Sequence, residues 1–77
     1  MDQAVAAHRE GRGDEAERLY REVLALEPAH ALASHNLGTL AVQRGDAAAA
    51  LPFFIAALEA DPARGQYKRL VIEGDRL

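Results

Sequence analysis

Residues 31–62 read ALASHNLGTLAVQRGDAAAALPFFIAALEADP, and the spacing within them decides the fold. Leu32, Ser34, Leu37, Gly38 and Ala41 recur at steps of about three and four, which places one buried stripe on a helix. Gly45 follows and can take the left-handed backbone that ends a helix. Asp46 can then cap the helix after it. Ala50 is small where two helices must approach closely, and Phe54 fills the gap one turn later on the same face. Pro62 stops the second helix, and Asp61 before it is disfavoured from continuing. The segment therefore predicts two antiparallel packed helices.

Displacing the sequence by 34 residues aligns Ala7 with Ala41, Gly11 with Gly45, Ala16 with Ala50, Leu24 with Leu58, Pro28 with Pro62 and Ala29 with Ala63. Tyr20 with Phe54, Leu19 with Phe53 and Glu27 with Asp61 fall in the same register as similar residues. The matches stand where a helical hairpin constrains size or backbone, which marks an internal repeat. Asp14 is expected to cap the second helix, with Glu17 completing a capping box. The pattern predicts five helices, at about 2–10, 14–26, 30–44, 47–60 and 65–76. In the fifth, Tyr67, Leu70, Val71, Gly74 and Leu77 form the apolar stripe. Pro52 lies inside the fourth helix, where a kink or one lost hydrogen bond is expected, at a cost of up to ~3 kcal/mol if unrelieved.

Composition excludes several classes. The chain has 77 residues, near the lower limit for a single hydrophobic core, and no cysteine to supply a disulfide or thiolate metal site. Met1-Asp2-Gln3 is not the basic start of a signal peptide. The longest apolar run, Ala47 to Leu58, is interrupted by Pro52 and too short to span a bilayer. Twelve acids and nine bases are interleaved, so neither a nucleic-acid footprint nor a membrane patch is expected. Seventeen alanines, and Lys68 as the single lysine among arginines, suggest a helical protein from a GC-rich genome.

The residues Leu37, Gly38, Ala41, Gly45, Ala50, Phe54, Ala57 and Pro62 resemble a complete unit of the tetratricopeptide repeat (TPR) family. Ser34 departs from the pattern, standing where that family usually has tryptophan. A first unit matches through Ala4, Ala7, Gly11, Ala16, Tyr20 and Pro28, with Val23 in place of a usual alanine and Met1 already at the fifth position. From Gly65 a single helix of a third unit follows, with Ile72 in the small Gly/Ala position. That is tolerable in a capping helix against which nothing further packs. The resemblance implies an all-α, TPR-type helix-turn-helix solenoid of about five antiparallel helices. It also implies one domain over 1–77, with units at 1–30, 31–64 and 65–77.

The resemblance further implies a concave partner-binding face. It carries Val5, His8 and Arg9 from the first unit, then Leu32, His35, Asn36, Thr39, Val42 and Gln43 from the second. Gln66, Arg69, Glu73 and Arg76 would follow from the third. The two last arginines favour an acidic segment, and Glu73 between them blunts that preference. The carboxylate clamp of co-chaperone TPR domains is not reproduced. Only Asn36 matches, while Met1, Val5, Gln66 and Leu70 occupy the other clamp positions.

His30 and His35 are rotated by about 140° on a helix and cannot share a metal, and no third ligand accompanies His8 and His35. Surface or groove histidines of ordinary pKa are therefore expected. No nucleophile triad, phosphate loop or paired buried carboxylate is present in the sequence, so neither a catalytic site nor a cofactor is expected. Tyr20, Phe53, Phe54 and Tyr67 read as core.

The function expected is a cytoplasmic scaffold, not an enzyme, that binds a peptide, a helix or its own copy. A homo-oligomer through the solenoid ends is expected on the same ground, because a short array leaves an end face uncovered. The alternative is the N-terminal docking module of a larger bacterial transferase-type enzyme, such as a glycosyl-, sulfo- or methyltransferase. Asp61-Pro62 and Gln66-Tyr67 have the style of repeats found ahead of such domains, and the abrupt Arg76-Leu77 end would accord with truncation.

Overall fold

A computed structural model describes residues 1–74. They form helices α1 (Asp2–Arg9), α2 (Gly13–Leu26), α3 (Ala31–Gln43), α4 (Ala47–Ala60) and α5 (Gly65–Gly74), with no strand among the described residues. The main packing runs between sequence neighbours: α1 with α2, α2 with α3, α3 with α4 and α4 with α5. That is the nearest-neighbour arrangement of a solenoid.

The repeat is written most clearly in the hairpin turns. Gly11 and Gly45 have φ of 79° and 80°, the left-handed region in which glycine carries no Cβ penalty. After α1, the amide of Gly11 donates to the carbonyl of His8 at 3.2 Å and that of Arg12 to Ala7 at 2.9 Å. After α3, Gly45 donates to Val42 and Asp46 to Ala41, both at 2.9 Å. These paired bonds are the Schellman closure, which satisfies carbonyls that a helix end would otherwise strand. Asp46 also accepts from the Ala49 amide at 3.0 Å, so one residue closes α3 and opens α4.

The expected cap at Asp14 is not formed. The α2 helix begins at Gly13 with Arg12 at its N-cap and no side-chain cap bond. Arg12 is the residue 34 before Asp46, so the repeat register itself places the cap at 12, where the side chain cannot accept. Asp14 and Glu17 instead receive Arg44 from the end of α3: Nη2 donates to Asp14 at 2.7 Å and Nη1 to Glu17 at 2.5 Å. Arg21 donates to the other Glu17 oxygen at 3.1 Å. Hydrogen bonds from Arg44 first and Arg21 second hold the Glu17 carboxyl below its ordinary pKa. At α3 the cap is His30, whose Nδ1 accepts from the Ala33 amide at 3.1 Å.

The core is built from small residues under aromatic rings. Ala4, Ala7, Ala16, Tyr20, Ala33, Leu37 and Leu40 form one buried cluster, flanked by half-buried Val5, Leu19, Val23, Leu24 and Phe53. Phe53 is thus at the margin of the core, with the Arg21 guanidinium over its ring at 5.8 Å. The buried stripe of α3 is Ala33, Ser34, Leu37, Gly38 and Leu40, whereas Leu32 is exposed. Leu32 had been expected in that stripe. Ala33 and Leu37 of α3 share the buried cluster with Ala16 and Tyr20 of α2, and Leu32 stands outside it.

In the second hairpin a Cβ on Gly38 would come within 2.6 Å of Phe54 Cδ1, so glycine is what allows the ring to lie on the α3 backbone. Ala50, Phe54 and Ala57 are buried, and Tyr67 anchors α5. Leu70 and Val71 are half-buried beside it, and Leu77 lies outside the described residues. Pro52 stays within a continuous α4, leaving the Ala48 carbonyl without its usual helical donor.

Candidate binding groove

Five of the expected partner-binding residues converge on one concavity. Val5, His8 and Arg9 from α1 and Asn36 and Gln43 from α3 line a hollow of about 370 Å³, with Tyr20 of α2 also in its wall. Their chain order explains the meeting. The Schellman turn at Gly11 folds α2 back on α1, and the alanine-lined α2–α3 junction brings α3 beside α1.

A relay of hydrogen bonds stiffens the wall. His8 Nε2 lies 2.8 Å from Gln43 Oε1, an atom that can only accept, so Nε2 carries the proton. In the neutral ring Nδ1 is then the acceptor, and the Tyr20 hydroxyl donates to it across 3.2 Å. Three helices are thereby joined through one imidazole, whose ring also meets Tyr20 edge-on at 6.0 Å. Tyr20 is fully buried as a residue, and burial pushes its phenol pKa up. No residue pattern signals this relay beyond the placing of His8 and Gln43 on the same face.

The remaining expected residues divide. Leu32 and Val42 are each 43% exposed, apolar side chains of α3 open to a partner. Thr39 is half-buried and its hydroxyl donates to the His35 carbonyl at 3.1 Å, a local helix bond. Gln66, Arg69 and Glu73 are exposed on α5, and Arg69 Nε lies 4.0 Å from Glu73. Glu73 thus lies against the Arg69 guanidinium. Arg76 lies outside the described residues.

His35 does not stand free in the groove. Its ring lies 5.2 Å from that of Tyr67 and 6.0 Å from that of Phe54, a half-buried wedge joining α3, α4 and α5. Nδ1 is buried and makes no hydrogen bond among the described residues. Desolvation first, and the Arg64 charge second, lower its pKa below the ordinary value. The expectation of an ordinary groove histidine is corrected here. It missed the ring because α5 supplies Tyr67 where α3 has only Ala33 at the same repeat position.

His8 and His35 consequently belong to different clusters, and no group of three metal-ligating side chains exists among the described residues. No helix among them is long and apolar enough to cross a membrane. The groove offers hydrogen-bond donors, one guanidinium and flanking aliphatic surface, which is equipment for holding a chain segment.

Comparison with protein families gives a match to the tetratricopeptide repeat over residues 7–71. Among curated proteins none matches the chain.

Proposed function

The chain belongs to the tetratricopeptide-repeat family, and from that membership we propose that it is a protein–protein interaction module holding a partner segment in the α1–α3 groove. The observation that carries this reading is the convergence of Val5, His8, Arg9, Asn36 and Gln43 on one hollow, with exposed Leu32 and Val42 also on α3. The groove wall is rigid where His8 ties Tyr20 to Gln43, so a ligand meets a preorganised surface and little ordering entropy is spent on binding. The module has no chemistry of its own in this reading and works in the cytoplasm as a scaffold.

A photo-crosslinking residue at Gln43 is expected to capture a partner in cells of the source organism. The same residue at exposed Glu59, on α4, is expected to capture none. Equal capture from both positions, or none from Gln43, would sink the groove reading.

A second reading rests on a different observation. Ile55 of α4 is 38% exposed and Ile72 of α5 is 46% exposed, apolar side chains left open on the last two helices. They suit either a second copy or the body of a larger transferase-type enzyme for which the repeats would be a docking module. Light scattering over a hundredfold concentration range separates these cases. A rising mass supports the second copy, and a constant monomer mass removes it.

A further inference from the structure

We infer that the groove recognises a partner segment through an acidic side chain, anchored at Arg9 and flanked by an apolar residue; this rests on the groove reading above. The charge pattern of the whole molecule singles Arg9 out. Arg12 pairs with Glu10 and Glu15, Arg18 with Glu22, Arg21 with Glu17, and Arg44 with Asp14 and Glu17. Arg64 pairs with Asp61 and Arg69 with Glu73. Arg9 is the one arginine that makes no ion pair among the described residues, and it is exposed and lines the hollow.

The neighbours of Arg9 complete an acceptor-seeking site. Asn36 lines the same hollow and brings an amide that can donate to a carboxylate oxygen. No Asp or Glu lines it, so nothing inside the groove competes for the guanidinium. His8 already spends both ring nitrogens on Tyr20 and Gln43, which leaves the Arg9 guanidinium as the charged donor, with further amide hydrogens on Asn36, which also bonds Tyr20, and on Gln43. Val5 in the hollow and exposed Leu32 and Val42 on α3 offer aliphatic surface, which suits an apolar residue next to the acid.

A side-chain carboxylate is chosen over a chain terminus on the same evidence. The hollow has a single guanidinium and no lysine, too little positive charge to clamp a terminal carboxylate together with its neighbours. One planar fork suits one carboxylate, bidentately.

The test uses two pools of acetylated, amide-capped hexapeptides, with the third position held as Glu in one and Gln in the other. The remaining positions are drawn from Ala, Leu, Ser and Tyr. Each pool is titrated into the whole chain carrying nitrogen-15 while the amide signals of Val42, Gln43 and the Asn36 side chain are followed. The Glu pool is expected to bind about tenfold more tightly than the Gln pool, the ratio a charge-assisted hydrogen bond gives. Arg9→Gln is expected to remove that preference, and Arg18→Gln, on the outer face of α2, to leave it intact.

Added salt should weaken the Glu pool and leave the Gln pool unchanged. Equal binding of both pools at the groove signals would overturn the acidic anchor while leaving the groove reading in place. A Glu preference that survives Arg9→Gln would overturn it as well. Groove signals unmoved by either pool would overturn the anchor, and the crosslinking experiment at Gln43 would then decide the groove reading separately.

Discussion

The two hairpins place an aromatic ring at the same repeat position, Tyr20 in one and Phe54 in the other, yet they accommodate it differently. In the first hairpin the residue at the close-approach position is Ala4, and Tyr20 is tethered by its hydroxyl to His8. In the second hairpin the matching residue is Gly38, and the Phe54 ring lies where a Cβ would have been. The ring with a polar tip is held from its far end and has alanine at the matching position. A ring without one settles onto bare backbone. The lesson is that one repeat position can demand alanine or glycine according to how the ring above it is held.

Exchanging the small residues is the strongest way to break this comparison. Gly38→Ala gains about 1 kcal/mol of helix propensity, but the buried ring must shift, at about 1–3 kcal/mol, so a net loss of up to about 2 kcal/mol is expected. Ala4→Gly is expected to lose about 1 kcal/mol as well, from propensity and lost packing. Urea unfolding of both variants checks the pair. A Gly38→Ala chain more stable than wild type would show that the Phe54 ring has room, and the contrast between hairpins would disappear.

Tyr20→Phe converts the first anchor chemically into the second. It removes the donor to His8 Nδ1 and is expected to cost about 1 kcal/mol, measured by the same unfolding series. It should also broaden the His8 and Gln43 signals, because the imidazole then has one partner. An unchanged stability with unchanged signals would show that the hydroxyl plays no tethering role.

Acidification probes the second hairpin with the smallest expected effect. His35 keeps a pKa below its ordinary 6.5 when folded, so the unfolded chain binds a proton that the folded chain does not. Its contribution to stability is whole above about pH 6.5 and declines as pH falls from there toward the folded value. Glu17 acts lower down. Its carboxyl is held below 4.5, so its contribution is present above that value and is lost as pH falls through the folded one. Melting curves from pH 7.5 to 5 are expected to show the first loss, and His35→Gln is expected to flatten that segment alone. A flat wild-type profile over the same range would remove His35 as its source.

Much of the fold could be read from the residues because hairpin turns are encoded locally. Gly11 and Gly45 required left-handed backbone and have it, and Asp46 caps the helix it was expected to cap. Helix limits agree within two residues at every end that the structure describes. The misreadings share one cause. Asp14 was assigned to a cap from its type and its distance to Glu17, although Arg12 is the register partner of Asp46; the carboxylate then proved to serve a residue thirty positions away. Helical phase puts Leu32 in the buried stripe and the family resemblance puts His35 in the groove, and neither says which neighbouring helix covers a given face. Leu32 is exposed, and His35 is half-buried against the Tyr67 and Phe54 rings. In the groove, the residues were legible and the bonds among them were not. A hydrogen bond from His8 to Gln43 joins residues 35 apart, a distance over which periodicity carries no information about side-chain reach.

Arg44 has a consequence for how the molecule opens. It leaves the end of α3 and reaches Asp14 and Glu17 on α2, so one guanidinium stitches hairpin to hairpin while each hairpin is closed by its own turn bonds. Closures of that kind span few residues and lose little chain entropy, so each pair of helices can assemble early and by itself. The seam between them is fastened partly by exposed charge, which salt weakens, and partly by the alanine-rich contact beneath. Amide exchange in high salt should therefore rise first at the seam, while the buried alanine contact continues to couple the two hairpins.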